Sequence, residues 1–311
     1  MDTDATEPRT TQQWLAEGRT PADLRRPVAA GELVHLRRGA YVQQTAKTKE
    51  ERHRQLIDAT APGLTDAVLS HYSAAVVHGL LLPHGPSQEV QVIRSRTSRG
   101  GGTKRGPLHV HVARLPPEDI TMVDGLAVTT RARTLVDLAC RMTFDAAVVT
   151  LDAGLRHPEG RGRESAAMRQ QVEAVLSRMG RVPGIKKARD AVAFADGRAE
   201  SPLESRSQLV LWREGIAPPE LQYVVRDQSG REIARLDFAW PEHKVYGECD
   251  GKVKYTTLLR DGETPGDVVM REKRRDNLLT DLGWRAVRWQ DLDLQRPKVL
   301  AGRVRRALAG A

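Results

Sequence analysis

The feature that most constrains the fold is a pair of strand-like segments near the C-terminal end of the chain. Residues 231–240 and 244–250 both alternate in polarity, and only a short turn separates them. If the turn is centred between Glu242 and His243, antiparallel pairing fixes every cross-strand partner. The opposed pairs are then Asp237 and Glu248, Arg235 and Asp250, Leu236 and Cys249, Phe238 and Gly247, and Trp240 and Val245. We therefore expect a sheet with one apolar face and one acidic face.

The expected acidic face brings three carboxylates together. Directly opposed residues have Cβ atoms about 5 Å apart, and Asp250 lies two positions along the same face from Glu248. A divalent cation or a cationic side chain must offset such a cluster. Oxygen ligands on strands suit Mg²⁺ or Mn²⁺, which could orient a water for attack on a phosphodiester, with Lys252 as added positive charge. The alternative is that Arg235 and Lys252 pair with Asp250 and Glu248 on a solvated face.

The last 110 residues predict a small α/β sandwich around this hairpin. The pattern predicts helices at 202–213 and 267–282, strands at 220–227, 231–240 and 244–250, and a last strand at 284–290. The order is αβββαβ. A fourth strand that follows a helix can lie parallel to one of the first three.

The N-terminal segment predicts a winged helix-turn-helix. A helix at 10–18 precedes a second helix that begins after the N-cap residue Thr20 and ends near Ala30, and residues 32–42 alternate around an Arg-Gly turn as a two-stranded wing would. This pattern is typical of DNA binding. The candidate phosphate and groove contacts are Arg25, Arg26, Arg37 and Arg38. The alternative is that these arginines only solvate the surface.

The central part is less informative about chemistry. Residues 46–156 predict an α+β region with helices at 51–61, 70–81 and 131–141, strands at 89–94 and 108–114, and a basic loop at 94–105. Residues 157–199 predict a helical connector. His71, His78 and His84 have no carboxylate or cysteine at ligand spacing, so we interpret them as core or capping residues. Ser73 lacks the context of a hydrolase nucleophile.

The composition favours a polyanionic partner. The formal net charge is +9, and lysines and arginines gain free energy on binding phosphates because counterions are released. An arginine-rich composition without any ligand would give the same charge. The two cysteines have no paired spacing, which excludes a cysteine zinc ribbon. No apolar run predicts a membrane span and the first residues do not form a signal peptide, so we expect a cytoplasmic protein with no membrane partner.

Two resemblances follow from these motifs. The segments Arg235–Trp240, Gly247–Gly251, Glu272–Arg275 and Gly283–Arg288 resemble the very-short-patch-repair-like endonuclease domains of the PD-(D/E)XK superfamily. This resemblance implies a restriction-endonuclease-like fold in which Asp237 and Glu248 bind metal, Glu204 is the acid on the first helix, and Asp250 replaces the usual lysine. The base is then undefined. Glu204 also fits a capping box after Ser201, and Arg275, three residues after Glu272, is a candidate phosphate contact.

The N-terminal half resembles the AbiEi family of type IV antitoxins, whose members are similar to transcriptional autorepressors. The segments that carry this resemblance are Arg37–Tyr41, Ser70–Ala75 with His78 and Gly79, and Thr130–Thr134 with Asp137. The resemblance implies DNA binding and a possible cognate toxin.

The sequence thus predicts a mixed α+β and α/β multidomain protein with a winged-helix domain at 1–45, an AbiEi-like domain at 46–156, a connector at 157–199 and a nuclease-like domain at 200–311. The expected function is Mg²⁺-dependent DNA cleavage. The alternative is an antitoxin or repressor with an inactive nuclease fold. The sequence leaves the oligomeric state open.

Overall fold

The structure, a computed structural model, describes residues 6–95, 103–249 and 264–310. It is a mixed α/β protein with several sheets and two compact units. Unit 1 comprises residues 1–150 and 167–194, and unit 2 comprises residues 151–166 and 195–311. The segment predicted as a connector is divided between the two units, with residues 167–194 in unit 1 and the rest in unit 2. The predicted domain boundaries stay predictions, because compactness does not test the role of each segment.

The beginning of unit 1 contains two short helices and a small antiparallel sheet. In this sheet the strand order is β1-β3-β2. Helix α2 starts where the sequence predicts, because the Thr20 side chain accepts a hydrogen bond from the backbone of Asp23 and Asp23 caps Thr20 in return. Trp14, Leu24 and Leu33 form the buried centre. The elements are β1 (Arg9–Thr10), α1 (Thr11–Ala16), α2 (Pro21–Ala29), β2 (Val34–Arg37) and β3 (Ala40–Val42).

The rest of unit 1 surrounds a six-stranded mixed sheet with the order β6-β7-β5-β4-β9-β8. Its elements are α3 (Lys49–Thr60), β4 (Val68–Leu69), α4 (His71–Val77), β5 (Val90–Ser95), β6 (Thr103–Arg105), β7 (Leu108–Ala113), β8 (Ile120–Val123), β9 (Leu126–Thr129), α5 (Arg131–Arg141), α6 (Phe144–Leu155), α7 (Ala166–Met179) and α8 (Ile185–Phe194). The last turn of α6, from residue 151, already belongs to unit 2.

Three features of this region differ from the prediction. The helix predicted to reach Leu81 ends at Val77, because Gly79 adopts a left-handed φ of +62°. The β8–β9 hairpin was not predicted, although the Asp-Gly pair in its turn, with φ of +49° and +73°, is a strong hairpin signal. Helix α6 was also missed.

Unit 2 has the predicted αβββαβ order. Its elements are α9 (Pro202–Arg213), β10 (Glu220–Arg226), β11 (Glu232–Trp240), β12 (Val245–Cys249), α10 (Pro265–Asp281), β13 (Arg285–Trp289) and a further helix, α11 (Pro297–Ala309), which was not predicted. The sheet order is β10-β11-β12-β13. The first three strands are antiparallel, and β13 runs parallel to β12.

The hairpin register is the predicted one over the paired residues. Phe238 pairs with Gly247, and Trp240 pairs with Val245. Both Phe238 and Trp240 are buried in the larger core cluster of unit 2, as expected for the apolar face. The opposite face carries Asp237 and Glu248 and is apolar in its other part, because Ala239 and Tyr246, two positions away on the same strands, are buried in a second cluster with Leu279 of α10.

Candidate functional site

The two acids predicted to converge do share one pocket. Asp237 on β11 and Glu248 on β12 line a pocket of about 230 Å³ in unit 2, so their side chains lie on the same side of the sheet. The other lining residues are polar and mostly basic: Arg235, Glu272, Arg275, Asp276 and Arg288. The short turn between the strands fixes this convergence, because it sets the register of the two strands.

Glu248 is held by two arginines, which we call the arginine clamp. One carboxylate oxygen accepts a hydrogen bond from Arg275 of α10, and the other accepts one from Nε of Arg288 at 3.0 Å. Arg288 also donates to Asp276 at 2.6 Å. Glu248 is only 8% exposed, so the clamp supplies the charge that a buried carboxylate requires.

Asp237 differs from Glu248 because, among the described residues, it makes no ion pair with an arginine. Its Oδ2 accepts a hydrogen bond from the backbone N–H of Cys249 at 3.3 Å. Burial raises the pKa of Asp237 to about 7, and the negative charges of Glu204 and Glu248 act in the same direction. Asp237 can therefore bind or release a proton near neutral pH.

Glu204, predicted either as an acid of the site or as part of a capping box after Ser201, is buried near Asp237 at the start of α9. Its backbone N–H donates to the Ser201 hydroxyl at 3.1 Å, as in a helix cap, and its Oε2 accepts from the backbone N–H of Glu200 at 2.7 Å. The same Oε2 accepts from Gln222 at 2.9 Å. Burial raises the pKa of Glu204, and its charge raises that of Asp237. Ser201 thus caps the helix, whereas the Glu204 carboxylate binds Glu200 and Gln222 and belongs to the electrostatic surroundings of Asp237.

The other predicted site residues of unit 2 are Arg235, Arg275, Asp250 and Lys252. Arg235 makes a bidentate ion pair with Glu200 at 2.8 and 2.9 Å. Arg275, predicted as a phosphate contact, is part of the arginine clamp. Asp250 and Lys252 lie outside the described residues.

The described residues of this pocket do not fit a divalent cation. Both oxygens of Glu248 already bind arginines. Of the predicted pair, Asp237 is then the carboxylate that, among the residues described, has no ion pair with an arginine. Mg²⁺ requires near-octahedral oxygen coordination, for which several waters and one or two carboxylates are the usual set. Over the described ranges, no group of three or more histidine, cysteine, aspartate or glutamate side chains could hold a metal ion.

Arg288 and Gln222 belong to this site and were not predicted from the sequence. Arg288 is level with Glu248 in the parallel β12–β13 ladder, a register that the sequence does not define. Gln222 holds Glu204 from a strand position with a left-handed φ of +53°, which is unusual for a non-glycine residue. No signal in the sequence indicates that backbone conformation.

The candidate DNA-contacting arginines lie in unit 1. Arg25 and Arg26 are exposed on α2, and Arg38 is exposed in the turn between β2 and β3. Arg37 is half-buried and donates from Nε to the backbone oxygen of Ala59 at 2.7 Å. Three of the four arginines are therefore open to a partner, and Arg37 anchors the hairpin to α3.

Two of the three histidines interpreted as core or capping residues have structural partners, whereas the third, His84, is exposed. His78 binds the backbone oxygen of Thr129 at 2.7 Å, and His71 contacts the hydroxyl of Ser70 at 2.9 Å. Ser73 is fully buried and contacts His53 at 2.9 Å, so this Ser-His pair is closed to solvent. Cys140 and Cys249 form no disulfide. Within the described ranges, no helix combines the length and the apolar character needed to cross a bilayer.

The central part of the chain has a recognised counterpart. Residues 66–181 match the AbiEi antitoxin C-terminal domain. This AbiEi match runs from just before β4 to just beyond α7. It supports the antitoxin part of the resemblance drawn from the sequence, whereas the nuclease part stays a prediction.

Relatives of the chain carry no functional name. Two uncharacterized proteins from two strains of Mycobacterium tuberculosis are each 36% identical to this chain over 188 residues, which is 60% of this chain and 63% of each relative. The chain thus spans less than two thirds of the curated relatives it matches. A crystal structure of another Mycobacterium tuberculosis protein aligns with 16% identity and a TM-score of 0.39, over 72% of this chain and 85% of that one.

Proposed function

We propose that this chain is a DNA-binding regulator of the antitoxin type, with a cognate toxin as its protein partner. The observation that carries the proposal is the AbiEi match over residues 66–181, which lies largely in unit 1. The DNA-binding elements precede the matched residues in the same unit. In this proposal residues 1–45 form a winged helix and unit 2 keeps a nuclease-like fold without cutting DNA.

The exposed arginines of the first 45 residues support DNA binding. Arg25 and Arg26 lie on α2, the second of two consecutive helices, and Arg38 lies at the tip of the hairpin that follows. In a winged helix-turn-helix the second helix enters the major groove, while the hairpin contacts the backbone. Arginines at these positions would bind phosphates and position the protein on the duplex.

The arginine clamp supports a role without cleavage. Glu248 is the acid that the nuclease prediction assigns to the metal, yet its two oxygens bind Arg275 and Arg288. A metal ion would have to replace both arginines, each of which loses an ion pair with a buried carboxylate. The pocket is therefore stable as a protein ion network, and a nuclease-type fold alone does not imply nuclease activity.

DNA binding can be tested by titrating the full-length chain against labelled duplexes at several salt concentrations. The variant is Arg25→Gln with Arg26→Gln, and the matched control is Lys186→Gln with Arg189→Gln, two exposed basic residues of α8. We expect the first variant to weaken binding and to lower the slope of log K against log salt by about 2, because each lost phosphate contact removes about one. Equal affinity and slope for wild type and variant would refute the proposed interface.

The second candidate function is metal-dependent DNA cleavage. It is favoured by the shared pocket of Asp237 and Glu248 and by the raised pKa of Asp237, which is a feature of functional sites. This candidate depends on Asp250 and Lys252 for the remaining groups, and on Mg²⁺ or Mn²⁺. The test is plasmid cleavage with Mg²⁺, Mn²⁺ or EDTA, with Asp237→Asn beside the wild type. Metal-dependent cutting that disappears in the variant would establish the nuclease, and its absence in all conditions supports the regulator.

A further inference from the structure

Unit 1 contains a large pocket that neither proposed activity uses. It has a volume of about 1010 Å³ and lies between β7, the C-terminal half of α5 and the loop that follows α7. The size is at the upper end of the range typical for small-molecule sites. Arginines from three separate segments line it, namely Arg114 after β7, Arg141 at the end of α5 and Arg181 after α7.

An ion network forms the floor of this pocket. Arg133 is 2% exposed and bridges two carboxylates, with Asp119 at 2.8 Å and Asp137 at 3.0 Å. Arg178 donates to the other oxygen of Asp119 at 2.6 Å. Because each of these charges has a partner, the network fixes the pocket wall and contributes little net charge to it.

The three lining arginines supply the uncompensated charge. Arg114, Arg141 and Arg181 are exposed, and none of them makes a salt bridge with an acid among the described residues. Guanidinium groups bind phosphate oxygens in a bidentate manner, and several arginines around one concave site are typical of phosphate recognition. The pocket therefore fits an anionic ligand better than a neutral one.

Asp137 indicates a second property of the ligand. Its Oδ1 accepts from Arg133, but its Oδ2 is buried and has no hydrogen-bond partner among the described residues. A buried acceptor without a partner is costly, and a donor from a bound molecule removes that cost. Asp137 lines the pocket, so the donor would be a hydroxyl or amino group of the ligand.

Three histidine rings lie next to one another in the wall of the pocket. The rings of His71 and His111 stack with centroids 4.0 Å apart, and His109 lies 4.0 Å from His111 on its own strand. Burial lowers the pKa of His71 to about 3, and the nearby charge of Arg141 acts in the same direction. His71 is thus neutral at physiological pH.

We propose that this pocket binds a small phosphorylated molecule that also carries a hydroxyl or amino group, the class that includes sugar phosphates and nucleotides. The phosphate binds Arg141 together with Arg114 or Arg181, and the hydroxyl or amino group donates to Oδ2 of Asp137. A small molecule is favoured over a duplex because the buried Asp137 lies inside a concave site that a DNA backbone does not enter.

Calorimetric titration of the full-length chain tests this proposal with four probes. Ribose 5-phosphate and ADP each combine phosphate with hydroxyl groups, methyl phosphate offers phosphate without a hydroxyl group, and adenosine offers hydroxyl groups without phosphate. We expect ribose 5-phosphate or ADP to bind at least ten-fold more tightly than methyl phosphate or adenosine. The tighter of the two identifies the ligand as a sugar phosphate or a nucleotide.

Variants assign the binding to this pocket. Arg141→Gln should weaken binding of the preferred probe by about ten-fold or more, because it removes a charge-assisted hydrogen bond. Lys186→Gln removes one exposed charge of the same unit outside the pocket and should change the affinity less than two-fold. Neither variant should alter binding to duplex DNA, which separates this proposal from the DNA interface.

Any one of the following results would overturn the proposal. The first is that no phosphorylated probe binds with a Kd below about 1 mM. The second is that methyl phosphate binds as tightly as ribose 5-phosphate and ADP, which removes the role of Asp137. The third is that Arg141→Gln and Lys186→Gln have equal effects on the probes, or that Arg141→Gln weakens the binding of duplex DNA instead.

Discussion

Asp152 provides a test of the electrostatics of unit 2. This residue of α6 is fully buried, and its Oδ1 accepts a hydrogen bond from the backbone N–H of Asp196 at 2.8 Å. Its Oδ2 has no partner among the described residues. Burial raises the pKa of Asp152 from 3.8 to about 7, while hydrogen bonds from Ser205 and Asp196 oppose that effect. We predict that Asp152→Asn, which removes the charge and keeps the shape, stabilises the protein at pH 8.

The size of the effect follows from linkage. A folded-state pKa above the unfolded value means that the stability present below pH 3.8 is lost as the pH rises through about 7. At about 1.4 kcal/mol per pKa unit, the loss approaches roughly 4 kcal/mol above pH 7. The asparagine amide in place of Oδ2 lacks an acceptor and costs about 2 kcal/mol. We therefore expect a net gain of about 2 kcal/mol at pH 8 and no gain at pH 4.

Urea unfolding followed by tryptophan fluorescence measures this difference. Trp212, Trp240, Trp284 and Trp289 lie in unit 2 and a single tryptophan lies in unit 1, so the signal reports mainly on unit 2. The control is Asp281→Asn, an exposed acid of the same unit, which should change stability by less than about 0.5 kcal/mol at either pH. The reasoning fails if Asp152→Asn has the same effect at pH 4 and pH 8, or if it destabilises the protein at pH 8.

Three further variants test the packing and the ion networks. Glu248→Gln should lower the free energy of unfolding by about 1–3 kcal/mol, because it removes the negative charge that pairs with the arginine clamp. Solvent screening reduces this loss, since both arginines are about one third exposed or more. In urea unfolding the loss should be smaller at high salt. Gly247→Ala should cost about 1–3 kcal/mol, because its Cβ would lie 2.2 Å from the ring of Trp289, whereas Gly302→Ala on α11, with only ordinary contacts, should not lower the thermal midpoint. Arg133→Gln should destabilise unit 1 by about 3–5 kcal/mol, because two buried carboxylates lose their common partner, and a thermal midpoint equal to that of wild type would contradict this.

The parts of the fold that the sequence predicts are those set by short-range geometry. The register that pairs Phe238 with Gly247 follows from the short turn between Trp240 and Val245 and from the period-2 polarity of the two strands. The capped start of α2 follows from Thr20 and Asp23. In both cases the residues that determine the structure are within a few positions of each other.

Other features depend on packing between distant segments. Arg275 and Arg288 reach Glu248 from α10 and β13, 27 and 40 residues along the chain. A position on a helix face or a parallel strand is set by the whole core, so the arginine clamp could not be predicted from spacing. The network of Arg133 with Asp119 is similar, because the two residues belong to separate elements that meet only in the folded unit.

The clamp also changes how the acidic pocket is interpreted. Clustered carboxylates on a sheet need a positive charge, and from the sequence a metal ion was the simplest source. In the structure Arg275 and Arg288 provide that charge for Glu248, and the raised pKa of Asp237 lets this residue take up a proton instead of needing a cation. The folded protein therefore stabilises both acids with its own groups. An explanation in which the pocket is a structural ion network in an antitoxin-type regulator requires no additional component, whereas the nuclease requires displacement of two arginines before a metal can bind.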